Sequence, residues 1–108
     1  MVGSAKAKEL ILTGEMVDAQ TARDIGLVNQ VVPQENLMDF CLEMAKKIAS
    51  KGPTAVRLTK RVIIRGVETD FATGSSFEVD AFGECFASGE AREGMNAFLE
   101  KRKPNWAS

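Results

Sequence analysis

Apolar residues recur at three- and four-residue steps along most of the chain, which predicts helices almost throughout. The clearest helix covers about residues 34–50. There Leu37, Phe40, Cys41, Met44, Ala45 and Ile48 form one stripe, while Asp39, Glu43, Lys46 and Lys47 take the remaining faces. Lys51-Gly52-Pro53 interrupts this pattern and starts another helix, because a proline N–H is not needed in a first turn. That helix is expected to reach about Arg65, with Gly66 following it.

Upstream, Ser4 is a candidate N-cap for a helix ending near Leu12, with Gly14 as the stop. Asp18 can cap a second short helix over 19–25, and Gly26 can adopt the left-handed conformation that ends it. The β-branched stretch Leu27-Val28-Asn29-Gln30-Val31-Val32, closed by Pro33, fits an extended segment or short strand. Downstream, Val79, Phe82 and Phe86 mark one face of a helix over about 70–87. Thr73-Gly74-Ser75-Ser76 is poor helix material and is expected to kink or delay it. Ser88 is a candidate cap for a last helix over 89–100, with Glu90 and Glu93 near its positive end and Pro104 in its termination zone. The expectation is an all-α fold in a single domain, 1–108. It has about five helices, one extended segment near Val28 to Val32, and a last helix pair packed through Phe82, Phe86, Met95 and Phe98.

Size and charge narrow the class. At 108 residues the chain suits one modest core, burying about 65% of its unfolded surface. Its 44% hydrophobic and 27% charged residues fit a globular protein. No apolar run approaches the roughly 20 residues that span a bilayer, and the start shows no signal-peptide pattern. The expectation is a cytoplasmic protein without membrane contact, or one of the mitochondrial matrix if a transit peptide precedes this sequence. Cys41 and Cys85 read as buried, reduced thiols. With no histidine and two distant cysteines, metal sites of the usual zinc type and histidine-based catalysis are excluded.

Among 15 carboxylates, Glu78, Asp80 and Glu84 could be cast as an acid/base set. A general acid needs a pKa moved toward neutrality by burial or a like charge, and their spacing places them on a polar helix face. No catalytic residue and no metal ligand is assigned. Arg57, Lys60, Arg61 and Arg65 line one helix face beside Lys51. The face fits solvent exposure or pairing with acidic neighbours. It could attract RNA, another phosphate-bearing ligand or a neighbouring subunit, but no aromatic is interleaved for base stacking, so nucleic acid is not an expected partner.

The run Glu93-Gly94-Met95-Asn96-Ala97-Phe98-Leu99-Glu100-Lys101-Arg102-Lys103-Pro104 closely resembles the C-terminal signature of the crotonase, or enoyl-CoA hydratase/isomerase, family. Ala7 to Gly14, Asp18-Ala19 and Ala22 to Asn29 resemble segments that precede that family's C-terminal helices. The resemblance implies the C-terminal helical portion of such an enzyme, with the N-terminal catalytic spiral domain absent and the isolated chain inactive. It implies that Phe98 lines the acyl or pantetheine channel and that Lys101 contacts a CoA phosphate, a role a compact ammonium can fill. It further implies acyl-CoA as substrate, no tightly bound cofactor beyond the substrate's coenzyme A, and trimer-type contacts with further copies. Composition alone fits a second class nearly as well: a helical adaptor that engages a partner without catalysis.

Overall fold

The computed structural model describes residues 2–107. It is helical: α1 (Ser4–Thr13), α2 (Ala19–Asp24), a short 3-10 turn (Gln34–Asn36), α3 (Leu37–Ala49), α4 (Pro53–Val67), α5 (Phe71–Ala87) and α6 (Glu90–Leu99). The all-α expectation holds, with six α-helices among the described residues where about five were expected. Contacts divide the chain into two units, Met1–Cys41 and Leu42–Ser108.

In the first unit, helix punctuation follows local chemistry. Gly14 is left-handed at φ 64° and its N–H donates to Leu10 O. Ser4 is not the cap of α1; it is the first helical residue, and Gly3 at φ 86° precedes it. The Asp18 carboxylate accepts from Thr21 N at 2.7 Å, which satisfies one of the N–H groups left without an acceptor at the start of α2. The Thr21 hydrogen bonds hold this carboxyl below its usual range. Beyond α2, the N–H groups of Leu27 and Val28 both donate back to Ala22 O, at 2.8 and 3.2 Å. The stretch from Val28 to Val32 forms no strand, since its β-branched residues have no ladder to join among the described residues. Cys41 is exposed, against the expectation of a buried thiol.

In the second unit, α4 packs on α5 and α5 on α6. Leu58 of α4, 3% exposed, and Ala97 of α6, 1% exposed, are its fully buried apolar residues among those described. Gly66 continues α4 rather than ending it, and α5 runs through Gly74 without delay. These two glycines explain each other. A Cβ on Gly74 would lie 3.5 Å from Gly66 Cα, so the backbones of α4 and α5 approach closely there. Asp70 offsets the weak propensity of 73–76 by capping α5: its carboxylate accepts from Thr73 N at 3.3 Å and from the Thr73 hydroxyl at 2.5 Å.

The last helix pair departs from the expected packing. Phe82 and Phe86 do pair, with ring centroids 4.9 Å apart. Yet both remain at least half exposed, Met95 is half exposed, and Phe98 is 82% exposed. Phe98 is therefore not part of the α5–α6 contact. Cys85 is half-buried rather than buried, lining the α4–α5 groove with Leu58 and Phe82.

Gly83 sits inside α5 with nothing within 4 Å of the place a Cβ would occupy. Gly83→Ala is expected to stabilise the chain by about 0.5–1 kcal/mol, through the lower backbone entropy of alanine in the unfolded state. Urea titration checks this, and a destabilised variant would show that a neighbour covers that face in solution.

Candidate functional site: the end of α6 and the returning tail

Residues 100–107 leave α6 and return to the start of α4. Arg102 ties the turn back to α6. Its guanidinium donates to Glu93 through Nη1 at 2.6 Å and Nη2 at 3.3 Å, and to Glu100 through Nε at 2.6 Å. Glu93 also accepts from Asn105 N at 2.8 Å. Lys101, between these anchored residues, is the one non-glycine residue with positive φ among those described, at 53°. That left-handed position ends α6 and projects the chain sideways.

The tail then seats Trp106. Its indole Nε1–H donates to Ser50 O at 2.8 Å, and the ring lies 3.5 Å from where a Gly94 Cβ would stand. Glycine at 94 leaves that side of α6 open to the indole. Beside it, the Glu90 carboxylate accepts from Thr54 N at 2.8 Å and Ala55 N at 3.0 Å. Glu90 thus caps α4 rather than the helix that carries it. A Cβ on Gly52 would sit 2.6 Å from Glu90 Oε2, which explains the glycine at 52. Ser88, the expected cap of α6, donates its hydroxyl to Cys85 O at 2.6 Å and accepts from Glu90 N at only 3.4 Å, and Gly89 at φ 84° is the capping residue.

Electrostatics follow from these contacts. The Arg102 hydrogen bonds, joined by the Asn105 N–H, hold Glu93 down to about 2, and the same pairing raises Arg102. Partial burial pushes Glu90 upward, but the Thr54 and Ala55 donors and the Arg57 charge outweigh it and leave its carboxyl below the usual range. An unfolded Glu93 has its ordinary value near 4.5, so ionised Glu93 favours the folded tail above that pH. That contribution is lost as the pH falls from 4.5 toward 2. The Trp106 indole N–H is therefore expected to lose protection across this acid window, and Glu93→Gln to remove the step. An unchanged acid profile in Glu93→Gln would assign the step to another group.

The two residues singled out for CoA lie at this turn. Phe98 is in the last turn of α6 and Lys101 follows its end, both exposed. With Arg102 held by Glu93 and Glu100, Lys101 and Lys103 are the cations of this cluster outside any ion pair among the described residues. The candidate carboxylates are scattered. Glu84 meets Arg61 at 3.8 Å, while Glu78 and Asp80 border separate grooves on α5. All three are exposed, and no charged side chain among the described residues is buried. Among those residues there is no group of three potential metal ligands, and no helix is long and apolar enough to cross a membrane.

A family profile described as enoyl-CoA hydratase/isomerase matches residues 1–108. The chain is 47% identical over 108 residues to a crotonyl-CoA hydratase of Syntrophomonas wolfei, covering 100% of this chain and 42% of the relative. It is 38% identical over 105 residues to a mitochondrial enoyl-CoA hydratase of Pongo abelii, covering 97% of this chain and 36% of the relative. A solved enoyl-CoA hydratase of Bacillus anthracis superposes with a TM-score of 0.93 at 44% identity, over 97% of this chain and 41% of that one.

The chain thus spans about two fifths of the length of these relatives. The matches support the family expected from the sequence and correct the placement. They take in residues 1–108 and do not support reading the chain as the C-terminal segment of the family, so that reading is withdrawn. The motif behind it, an apolar helix closing on basic residues and a proline, reports a helix terminus and carries no position within a longer protein.

Proposed function

This chain belongs to the enoyl-CoA hydratase/isomerase family, and we propose that it is a non-catalytic portion of an enzyme acting on acyl-CoA thioesters. It supplies a CoA contact, part of the acyl-pocket wall and surface for subunit assembly. The observation that carries this reading is the pairing at the end of α6. A largely exposed aromatic, Phe98, is followed by an exposed ammonium, Lys101, on a turn locked by the Glu93–Arg102 pair. A rigid turn loses little entropy on engaging a ligand, and an ammonium suits a phosphate as a point charge.

The chemistry is proposed to reside in the rest of the enzyme. Hydration of an enoyl thioester needs a carboxyl able to exchange protons near neutral pH. Here the resolved carboxyl shifts, at Asp18, Asp70, Glu90 and Glu93, all run downward, away from that range. The exposed apolar side chains, among them Phe71, Val79, Phe82 and Met95, provide the surface that trimer-type contacts would cover.

Lys101→Gln is expected to weaken coenzyme A binding by about tenfold, the usual scale for losing one charge-assisted contact. Pantetheine, which lacks the phosphates, should bind both chains alike. Isothermal titration checks this, and equal coenzyme A affinities would remove Lys101 from the site.

A further inference from the structure

The basic face of α4 is divided by the fold. Arg61 turns to Glu84 on α5, and the Arg65 guanidinium lies 5.7 Å from the Phe77 ring centroid. Arg57 and Lys60 instead line an open groove of about 640 Å³, together with Lys51. None of these three cations is in an ion pair among the described residues, and no carboxylate lines the groove. Arg57 feels the charge of Glu90, but both Glu90 oxygens already accept from Thr54 and Ala55 N–H.

The rest of the groove is apolar. Ile48 comes from the end of α3, Pro53 and Val56 stand at the start of α4, and Trp106 closes it from the tail, held by its indole N–H to Ser50 O. Pro53, Val56, Arg57 and Lys60 follow the i, i+3, i+4, i+7 pattern, so apolar contact and charge share one helix face. A simple anion would leave the apolar side chains in water, and an apolar ligand would leave the cations without partners. A ligand that satisfies both carries apolar and acidic groups side by side. An acidic amphipathic helix does so: one apolar side chain packs on Trp106, and carboxylates three or four positions apart reach Arg57 and Lys60.

The exposed apolar face of α5, with Phe71, Val79 and Phe82, is a different kind of surface. The buried centre of a lasting interface is depleted of charge, whereas tryptophan and arginine are enriched among the residues that carry the energy of exchangeable contacts. Three unpaired cations around an indole therefore mark this groove for a partner that comes and goes. We propose that the groove between Lys51, Arg57, Lys60 and Trp106 docks an acidic amphipathic helix of a separate partner protein. Phe98 and Lys101 do not line it, so the inference goes beyond the CoA role given to them and stands without it.

The test is titration of the isotope-labelled chain with a capped synthetic peptide of about three helical turns, bearing leucines along one face and glutamates beside them. The peptide is expected to shift the Trp106 indole signal and the amides of residues 48–61, with a dissociation constant below about 1 mM that rises with salt. The same peptide with glutamine for glutamate, and a polyglutamate lacking the leucines, should each bind about tenfold more weakly. Arg57→Glu combined with Lys60→Glu should lose the acidic peptide and take up its lysine counterpart. Both side chains are exposed, so the fold should survive, and unmoved α6 amides in the free variant check this. Polyglutamate or an oligoribonucleotide binding as tightly as the peptide would overturn the proposal by showing a face for any polyanion. Equal binding of the glutamine peptide, failure of the charge exchange in the folded variant, or unshifted spectra in about 3 mM peptide, above the expected dissociation constant, would overturn it as well.

Discussion

Leu58→Ala is expected to cost on the order of 3 kcal/mol in a urea titration followed by Trp106 fluorescence, the scale for deleting a fully buried leucine side chain. Two reasons set the size. Leu58 is the one large apolar side chain among the described residues that is fully shielded, at 3% exposure, and it stands in α4 facing the α5 contact. Small domains have only about 5–15 kcal/mol of stability to lose, and a unit with so few buried side chains sits toward the low end. The variant should therefore unfold at much lower urea or lose its cooperative transition. A loss under about 1 kcal/mol would show that water reaches Leu58 in solution and that another contact holds α4 to α5.

Trp106→Ala is expected to free the tail and cost about 2 kcal/mol, less than a fully buried tryptophan because the ring is only half-buried. Two contributions add: the indole packed against Gly94 and Gly52, and the hydrogen bond to Ser50 O. Trp106→Phe separates them. It keeps most of the apolar contact and drops the donor, so it should lose about 1 kcal/mol, the worth of one hydrogen bond. Amide exchange of residues 103–107 should rise strongly in the alanine variant and modestly in the phenylalanine one. Unchanged exchange in Trp106→Ala would mean that the Glu93–Arg102 pair alone holds the tail.

Helix punctuation was legible in the sequence wherever one residue decides it. Asp18, Gly14 and Gly26 do what their chemistry implies, because a carboxylate at an N-cap and a glycine at positive φ act on their own few neighbours. Gly66 and Gly74 misled for the opposite reason. Their role is the approach of two helices far apart in sequence, which no local pattern contains. Val28 to Val32 misled through propensity, since β-branched residues make a strand only where a partner strand exists.

At the candidate site, the exposed pair Phe98 and Lys101 was singled out by resemblance, whereas the residues that fix their geometry were not. Glu93 and Glu90 looked like carboxylates serving the positive end of their own helix. Instead one holds the tail and the other caps α4, nearly forty positions away in sequence. The lone tryptophan, following Pro104-Asn105 at the end of the chain, was the available signal for a returning tail. A single large ring beyond the last helix is more easily explained by a seat on the body of the protein than by solvent. The same return supplies the aromatic that the basic face of α4 lacks in the linear sequence.

The apolar exposure along α3 to α6 is the physical counterpart of the length comparison. Met44, Ile63, Phe82 and Leu99 are each exposed in a chain that spans about two fifths of its relatives. Scattered apolar side chains are normal on a protein surface, whereas contiguous ones mark a site of interaction.

The central claim, that this portion of the family contributes binding surface and not the chemistry, is tested most directly by assaying the purified chain for hydration of a short enoyl-CoA thioester, followed by loss of the conjugated thioester absorbance. The account predicts a rate equal to that of the buffer alone at every substrate concentration, even where coenzyme A binding is measurable. Saturable turnover that scales with protein concentration would contradict it and would place the reacting carboxyl within these 108 residues.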